Sequence, residues 1–171
     1  MSTELETLTE NLRQEYTYNF TTGSLKRIST GKYIHTDIVV LNNKKYNRKL
    51  ISWLIYHGVK PDGVIIHRNL NQEDYSLHNL KVLTKKEYSK YIRLLNNANK
   101  YIFLRESKRD VYDVYIEWLD FDTGKKVKEK FNDHTVARRF MRSLLRELLR
   151  ELENLGVDVT EADIFVSKPR L

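Results

Sequence analysis

The sequence predicts an α+β fold in which short antiparallel strands alternate with helices. Two patterns predict it: strand-like runs joined by turns that contain Asn or Gly, and apolar residues repeated at helical spacing. Changes in these patterns and in net charge divide the 171 residues into three parts. We place an N-terminal helix at 1–15, a mixed domain at 16–98, and a three-strand-plus-helix domain at 99–171.

The N-terminal part begins with Leu5, Leu8 and Leu12 at helical spacing, which predicts a short amphipathic helix. The next run, YTYNFTTGSLKRI, predicts a hairpin with its turn at residues 19–23. TDIVVLNNKKYN predicts a second hairpin that turns at residues 42–43, because Asn tolerates positive φ.

The middle of the chain continues with RKLISWLIYHGV, whose apolar residues share one helical face and whose Gly58 predicts the end of the helix. A short strand from Val64 to Ile66 and a polar loop from His67 to Asn79 follow. Residues 85–96 predict another helix. Its predicted apolar face consists of Tyr88, Tyr91, Ile92 and Leu95.

The C-terminal part contains the runs YIFLRE, VYDVYIEWLDF and KKVKEKF, which predict an antiparallel meander with connections at 107–110 and 122–124. A helix from Asp133 to Asn154 follows, with Asp133 as the N-cap and Gly156 closing it. An apolar stripe on this helix either covers the meander or extends into a homodimer contact. The stripe comprises Met141, Leu145, Leu148, Leu152 and Leu155.

The composition excludes several classes of protein. The chain has no Cys, which excludes disulfides, zinc fingers and cysteine nucleophiles. No apolar run approaches the roughly 20 residues that a membrane span needs, and the acidic, amphipathic N-terminus is unlike a signal peptide. We therefore expect a soluble cytoplasmic protein with no membrane partner.

The positive charge is concentrated in the middle of the chain. Residues 16–100 carry 15 Lys and Arg against 5 Asp and Glu, whereas residues 101–171 carry 14 of each. A basic segment with interspersed Tyr and Asn is typical of proteins that bind the phosphates of double-stranded DNA, although a basic surface without a ligand is the alternative. The candidate phosphate contacts are Lys26, Arg27, Lys32, Lys44, Lys45, Arg48, Lys49, Arg68, Lys85 and Lys86.

Two stretches that cover residues 42–84, NNKKYNRKLISWLIYHGVKP and IIHRNLNQEDYSLHNLKVLT, resemble the phage-type HNH homing endonucleases. The run YTYNFTTGSLKR is similar to the opening of such proteins and extends the resemblance to about residues 16–90. It implies that 16–98 is an HNH-like ββα-metal-type domain. The strand and helix patterns that follow predict a three-stranded antiparallel sheet packed against a long C-terminal helix. It also implies a phage or mobile-element origin and a bacterial host.

The resemblance places the family's catalytic residues on positions of this chain. The general base falls on His67 and the loop-bracing Asn on Asn79, so both residue types are kept. The two metal ligands fall on Ile66 and Tyr88, and the His that usually opens the first helix falls on Lys49. Ile has no donor atom, and neutral Tyr is a poor ligand for a hard cation.

We therefore expect no metal cofactor and no hydrolysis. Mg²⁺ or Mn²⁺ would enter only if a displaced site formed from Asp74, Glu87 or Asn69. In the absence of a metal, His67 is expected to be a structural residue that bonds to the backbone.

Three functions follow as hypotheses. The first is a catalytically inactive HNH-derived protein that binds double-stranded DNA, as a regulator or a competitor for a target site. The second is an anti-defence or host-takeover inhibitor that binds a protein, such as a nuclease or polymerase. The third is a metal-dependent DNA nickase with rearranged ligands.

The C-terminal domain resembles the ethylene-response-factor type of DNA-reading domain through its strand-and-helix order and the run VARRFMRSLLREL. The resemblance implies a sheet that lies in the major groove of DNA. The C-terminal domain has no net charge, however, which argues against phosphate binding by this domain.

Overall fold

The computed structural model describes residues 2–106 and 114–160, and it has the predicted mixed α+β fold. The chain forms two compact units, Met1–Thr84 and Lys85–Leu171. We call them unit 1 and unit 2. In the described ranges, no helix has the length and apolar character that crossing a membrane requires.

Unit 1 contains two helices and seven short strands among its described residues. In chain order these are α1 (Ser2–Glu15), β1 (Tyr16–Tyr18), β2 (Leu25–Arg27), β3 (Tyr33–Ile34), β4 (Ile38–Leu41), β5 (Lys44–Asn47), α2 (Arg48–His57), β6 (Val64–His67) and β7 (Leu80–Leu83), with a 3-10 turn at Leu77–Asn79 before β7. Strands β1, β2 and β3 form an antiparallel sheet, while β4–β5 and β6–β7 are separate antiparallel pairs.

Local sequence explains the predicted turns and caps of unit 1. Asn42 and Asn43 have φ angles of 49° and 60°, so the second hairpin turns where predicted. The side chain of Asn47 accepts the N–H of Lys49 and caps α2, and Gly58 ends the helix in the left-handed conformation.

The buried core of unit 1 joins α1 and α2 to strands β1, β2 and β4. The α1 stripe is confirmed, because Leu12 is fully buried and Leu5 and Leu8 pack against the same cluster. Burying one such Leu contributes about 1.5–3 kcal/mol. The buried cluster is Leu12, Tyr16, Leu25, Val39, Leu41, Ile51 and Leu54.

Among its described residues, unit 2 combines two helices with an antiparallel sheet of strand order β10-β9-β8. Its elements are α3 (Lys85–Asn96), a π-helical turn (Asn97–Tyr101), β8 (Phe103–Glu106), β9 (Val114–Leu119), β10 (Lys126–Phe131) and α4 (His134–Asn154). The predicted connection at 107–110 lies outside the described residues. Asp133 caps α4 as predicted, because its carboxylate accepts the N–H groups of Thr135 and Val136.

The two divisions of the chain differ in where they place α3. The sequence pattern places residues 85–98 with the middle domain, whereas the contacts group them with unit 2. Within unit 2, Lys90 forms a 2.6 Å ion pair with Glu151, and Arg93 donates to the carbonyl oxygen of Phe121 at 3.0 Å. These polar contacts tie α3 to both α4 and the β9–β10 turn.

The predicted apolar face of α3 is partly wrong. Tyr91 is buried as expected, but Ile92 is exposed and Leu94 is fully buried instead. The buried face contains Tyr91 and Leu94, three residues apart, while Lys90 and Arg93 contact Glu151 and Phe121.

Helix α4 supplies much of the apolar core of unit 2. The ring of Phe140 contacts Trp118 on β9 and Phe131 on β10, with centroid distances of 5.4 and 5.2 Å. Of the predicted stripe, Leu145, Leu148, Leu152 and Leu155 are buried. The stripe is thus used inside the unit.

Asn97 is a structural residue that the sequence patterns did not indicate. It is fully buried in the π-helical turn. Its amide group donates to the carbonyl oxygen of Leu119 and accepts the N–H of the same residue, both at 2.7 Å. One Asn side chain therefore continues the hydrogen bonding at the end of β9.

Candidate functional site

The β6–β7 hairpin positions the predicted catalytic residue. His67 is the last residue of β6 and pairs with Leu80, while Ile66 pairs with Lys81. Successive strand residues point to opposite faces, yet both side chains are buried, with exposed fractions of 3% for Ile66 and 6% for His67. The two residues therefore lie inside unit 1.

Asn79 braces the loop that connects the two strands. Its Oδ1 accepts the N–H of Asn69 at 2.9 Å, and its Nδ2 donates to the carbonyl oxygen of Asp74 at 2.8 Å. Its carbonyl oxygen accepts the N–H of Arg68 at 2.8 Å. One buried residue thus joins the start, middle and end of the loop formed by residues 68–79.

Asp74 is one of the two acidic residues of this loop, beside Glu73. Its Oδ1 accepts the N–H of Ser76 at 3.0 Å, and its Oδ2 accepts Nδ2 of Asn69 at 2.9 Å. Burial alone raises the pKa of Asp74, but the hydrogen bonds from Ser76 and Asn69 outweigh it and lower the pKa overall. The carboxylate is therefore charged, and both of its oxygens already accept hydrogen bonds within the loop.

The turn between β1 and β2 packs directly on the loop. A Cβ on Gly23 would overlap the backbone of Tyr75 and Ser76, and the φ of Gly23 is 71°, so only glycine fits there without strain. The N–H of Leu77 donates to the carbonyl oxygen of Phe20 at 2.8 Å. Two segments distant in sequence are thus held together through their backbones.

Tyr75 connects the loop to α2 and to β4. Its ring meets the His67 ring edge to face, with centroids 5.1 Å apart, and its hydroxyl donates to the carboxylate of Asp37. The Arg48 guanidinium lies over the Tyr75 ring at 4.0 Å and donates to the carbonyl oxygen of Gly23 at 3.0 Å. Burial and the bond to Asp37 raise the pKa of the Tyr75 hydroxyl.

The surroundings of His67 favour the neutral imidazole. Burial lowers its pKa first, and the positive charge of Lys49 lowers it further, whereas Asp74 and Asp37 act in the opposite direction. Its Nε2 is buried and has no hydrogen-bond partner in the described part of the chain. His67 is therefore an uncharged residue at neutral pH.

The residues at the expected metal positions do not fit a divalent ion. Ile66 offers only a buried alkyl group, and Tyr88 on α3 of unit 2 contacts the ring of Tyr91 at 6.0 Å. In the residues that the structure describes, no three His, Asp or Glu side chains converge as metal ligands do. Of the displaced candidates, Asp74 and Asn69 bond to each other at 2.9 Å.

The predicted phosphate contacts are in three different environments. Lys32, Lys44, Lys45, Lys85 and Lys86 are exposed, with the last two on α3 of unit 2. Lys26, Arg27, Lys49 and Arg68 are partly buried. Arg48 is only 8% exposed. Because its guanidinium packs inside the protein against Tyr75, Arg48 is not part of the surface that a DNA backbone could reach.

Some partly buried cations already have protein partners. Arg27 donates to the hydroxyl of Tyr16 at 2.7 Å and pairs with Glu15 at 3.3 Å. Arg68 donates to the carbonyl oxygen of His78 at 3.3 Å. Burial lowers the pKa of Lys49, with Asp37 opposing it. The fully exposed lysines are the cations best placed for a ligand.

The sheet of unit 2 has a cationic face that the sequence reasoning missed. Cross-strand pairing of Lys128 with Glu117 and of Lys130 with Tyr115 places these residues on the side opposite Trp118 and Phe131, which contact α4. Arg105 and Lys126 share that side. The alternation of Lys with other residues in KKVKEKF was the available signal, but only the strand register shows on which face of the sheet the lysines lie.

Asp37, Gly23 and Tyr75 were also missed. Each was an ordinary loop or turn residue in the sequence. The contacts that join Tyr75 to Asp37 and to Gly23 span 38 and 52 residues, so no local pattern joins them. Comparison with known proteins gives no match for this chain to a family model, a curated protein or a solved structure.

Proposed function

We propose that this chain is a catalytically inactive protein derived from an HNH scaffold, and that it binds double-stranded DNA as a phage or mobile-element regulator or a competitor for a target site. The observation that carries the proposal is the hairpin around His67. A loop braced by Asn79 is present there, while the neighbouring position expected to hold a metal carries the buried Ile66.

The absence of catalysis follows from the donor groups. A general base activates water for attack on a phosphodiester only with a Lewis acid or another strong source of charge stabilisation nearby. His67 is neutral and could accept a proton, but its Nε2 is enclosed by protein. The ββα-metal assignment is therefore proposed for the fold and the evolutionary origin of this domain, and not for catalysis.

DNA binding is supported by the exposed lysines of unit 1. Lys44 and Lys45 lie on the β4–β5 hairpin, and Lys32 precedes β3, all exposed. Each Lys that neutralises a phosphate releases a counterion, so affinity falls with salt in proportion to the number of contacts. The cationic sheet face of unit 2 is compatible with a second contact, as the ethylene-response-factor resemblance implies.

The experiment is a titration of a fluorescent 30-base-pair duplex at several salt concentrations. The variant K44Q/K45Q should weaken binding and reduce the slope of log K against log salt by roughly 2, which corresponds to two phosphate contacts. The matched control is R142Q/R146Q, which removes two exposed charges from α4 and should leave the slope unchanged. Equal effects of both variants would argue for non-specific attraction only.

A plasmid assay with Mg²⁺ or Mn²⁺ tests the catalytic part. We expect a mobility shift without nicking. Metal-dependent nicking that is abolished by His67→Ala would replace this proposal with the nickase.

Exposed apolar residues support the second candidate, a protein-binding inhibitor. Ile38 and Val40 lie on the outer face of β4, and Ile28 and Tyr33 are also about half exposed. This function predicts weak duplex binding without sequence preference, and no effect of K44Q/K45Q beyond that of the control.

A further inference from the structure

Four aromatic rings form a continuous row on unit 1. The ring of Phe20 lies 5.7 Å from Tyr56, Tyr56 lies 5.0 Å from His57, and His57 lies 3.9 Å from Trp53, measured between centroids. We call these four residues the aromatic row. It joins the β1–β2 turn to the last two turns of α2.

The outer end of the row is open to solvent. Phe20 is 54% exposed and Tyr56 is 47% exposed, whereas the core aromatic Tyr16 is almost fully buried. The Phe20 and Tyr56 rings are tilted by 56°, so neither ring covers the face of the other. Two large apolar rings are thus held next to each other without being used in the core.

The unit that carries the row has a positive net charge and an exposed cation at the end of α2. The Arg13 guanidinium donates to the carbonyl oxygen of Ile55 at 3.0 Å, and its Nη2 lies 3.5 Å from the position that a Cβ on Gly58 would take. An exposed cation is therefore held at the end of α2, the helix that carries Tyr56 and His57. Residues 16–84 carry 10 Lys and Arg against 4 Asp and Glu. This charge complements a phosphate backbone.

We propose that the aromatic row stacks on unpaired bases of a DNA strand whose phosphates are held by Arg13 and by exposed lysines of unit 1. Proteins that hold single strands combine a positive surface with aromatic rings, since every base has a face that can stack. The inference rests on the proposed DNA binding and deepens it, because it names locally opened or single-stranded DNA as the preferred form. A protein partner would use the rings as contact residues without base stacking.

The test compares three fluorescent DNAs of equal length: a duplex, a duplex with a three-thymine bulge, and a single strand of thymines. The variant is F20A/Y56A, and F20L/Y56L keeps apolar bulk without rings. The control V59A trims a side chain that is exposed and close in sequence to Tyr56. Circular dichroism melting verifies that each variant folds.

For the wild-type protein, we expect tighter binding to the bulged and single-stranded DNAs than to the plain duplex. F20A/Y56A and F20L/Y56L should each lose about tenfold or more on those two DNAs and little on the duplex, since stacking on a ring contributes about 1–3 kcal/mol per base. V59A should behave as the wild type.

Two results would overturn the inference: folded ring variants that bind all three DNAs as the wild type does, or variants that lose affinity equally on all three. Either result with intact wild-type duplex binding leaves the proposed function standing. If the rings support binding of the single strand but the protein binds no duplex, the base-stacking inference stands and the proposed binding of double-stranded DNA is wrong. A protein that binds none of the three DNAs removes both proposals and favours a protein partner.

Discussion

The loop at residues 68–79 in unit 1 and the α4 packing in unit 2 are stabilised in different ways. The loop is held by hydrogen bonds that converge on Asn79 and Asp74, and its buried residues include Tyr75 and Ser76. In unit 2, α4 is held by leucines that are buried together with the apolar residues of β9.

The two regions should differ in the substitutions that they tolerate. An apolar contact depends on volume and burial, so related side chains can replace one another at modest cost. A buried polar network depends on each partner, because a donor or acceptor left alone loses its hydrogen bond and remains without water. The loop should therefore tolerate fewer substitutions than α4, whereas α4 should contribute more to the free energy of unfolding.

The largest effect is expected at α4. Leu148→Ala removes a fully buried side chain and should lower the free energy of unfolding by about 2–5 kcal/mol, because transfer free energy is lost and a cavity remains. Chemical denaturation measures it. The control Val136→Ala changes an exposed residue of the same helix and should stay within about 0.5 kcal/mol. Similar costs for both would contradict the assigned packing of α4.

Asn79→Ala tests the polar region and should cost less, about 1–3 kcal/mol, since the N–H of Asn69 and the carbonyl oxygen of Asp74 lose their partner. Hydrogen exchange should show faster exchange confined to the loop. The matched control is Asn71→Ala, whose exposed side chain accepts only the N–H of Glu73. If the two Asn variants behave alike, Asn79 does not organise the loop.

The smallest effect is expected from pH. The pKa of His67 is lowered from 6.5, so the unfolded chain binds this proton more readily than the folded protein does. Its contribution to stability is complete above about pH 6.5 and is lost as the pH falls through that value towards the folded pKa.

Urea unfolding between pH 8 and pH 5.5 should show this loss, and His67→Gln should reduce it. An NMR titration of the imidazole measures the pKa directly. His57→Gln is the comparison, because burial, and not a neighbouring charge, lowers the pKa of His57. A His67 ring that titrates at or above 6.5 would mean that the imidazole is solvated or paired, and the burial argument would be wrong.

Much of the local structure was predictable because its causes are local. The Asn42–Asn43 turn, the Gly58 stop and the Asp133 cap depend on conformational preferences or on a hydrogen bond to a near neighbour. The face of α3 was predicted less well. Its orientation depends on the partners of Lys90 and Arg93, which lie about 30 to 60 residues away in the chain.

The candidate site divides in the same way. The sequence by itself determined that His67 and Asn79 flank a polar loop and that Ile66 brings no donor atom, because residue identity and strand alternation are enough for that. Only the tertiary structure decided that Arg48 is buried against Tyr75 and that Gly23 allows the β1–β2 turn to pack on the loop. It also decided which face of the unit 2 sheet is cationic. These features arise from contacts between distant segments, and their energies depend on burial and neighbouring charges that no local pattern contains.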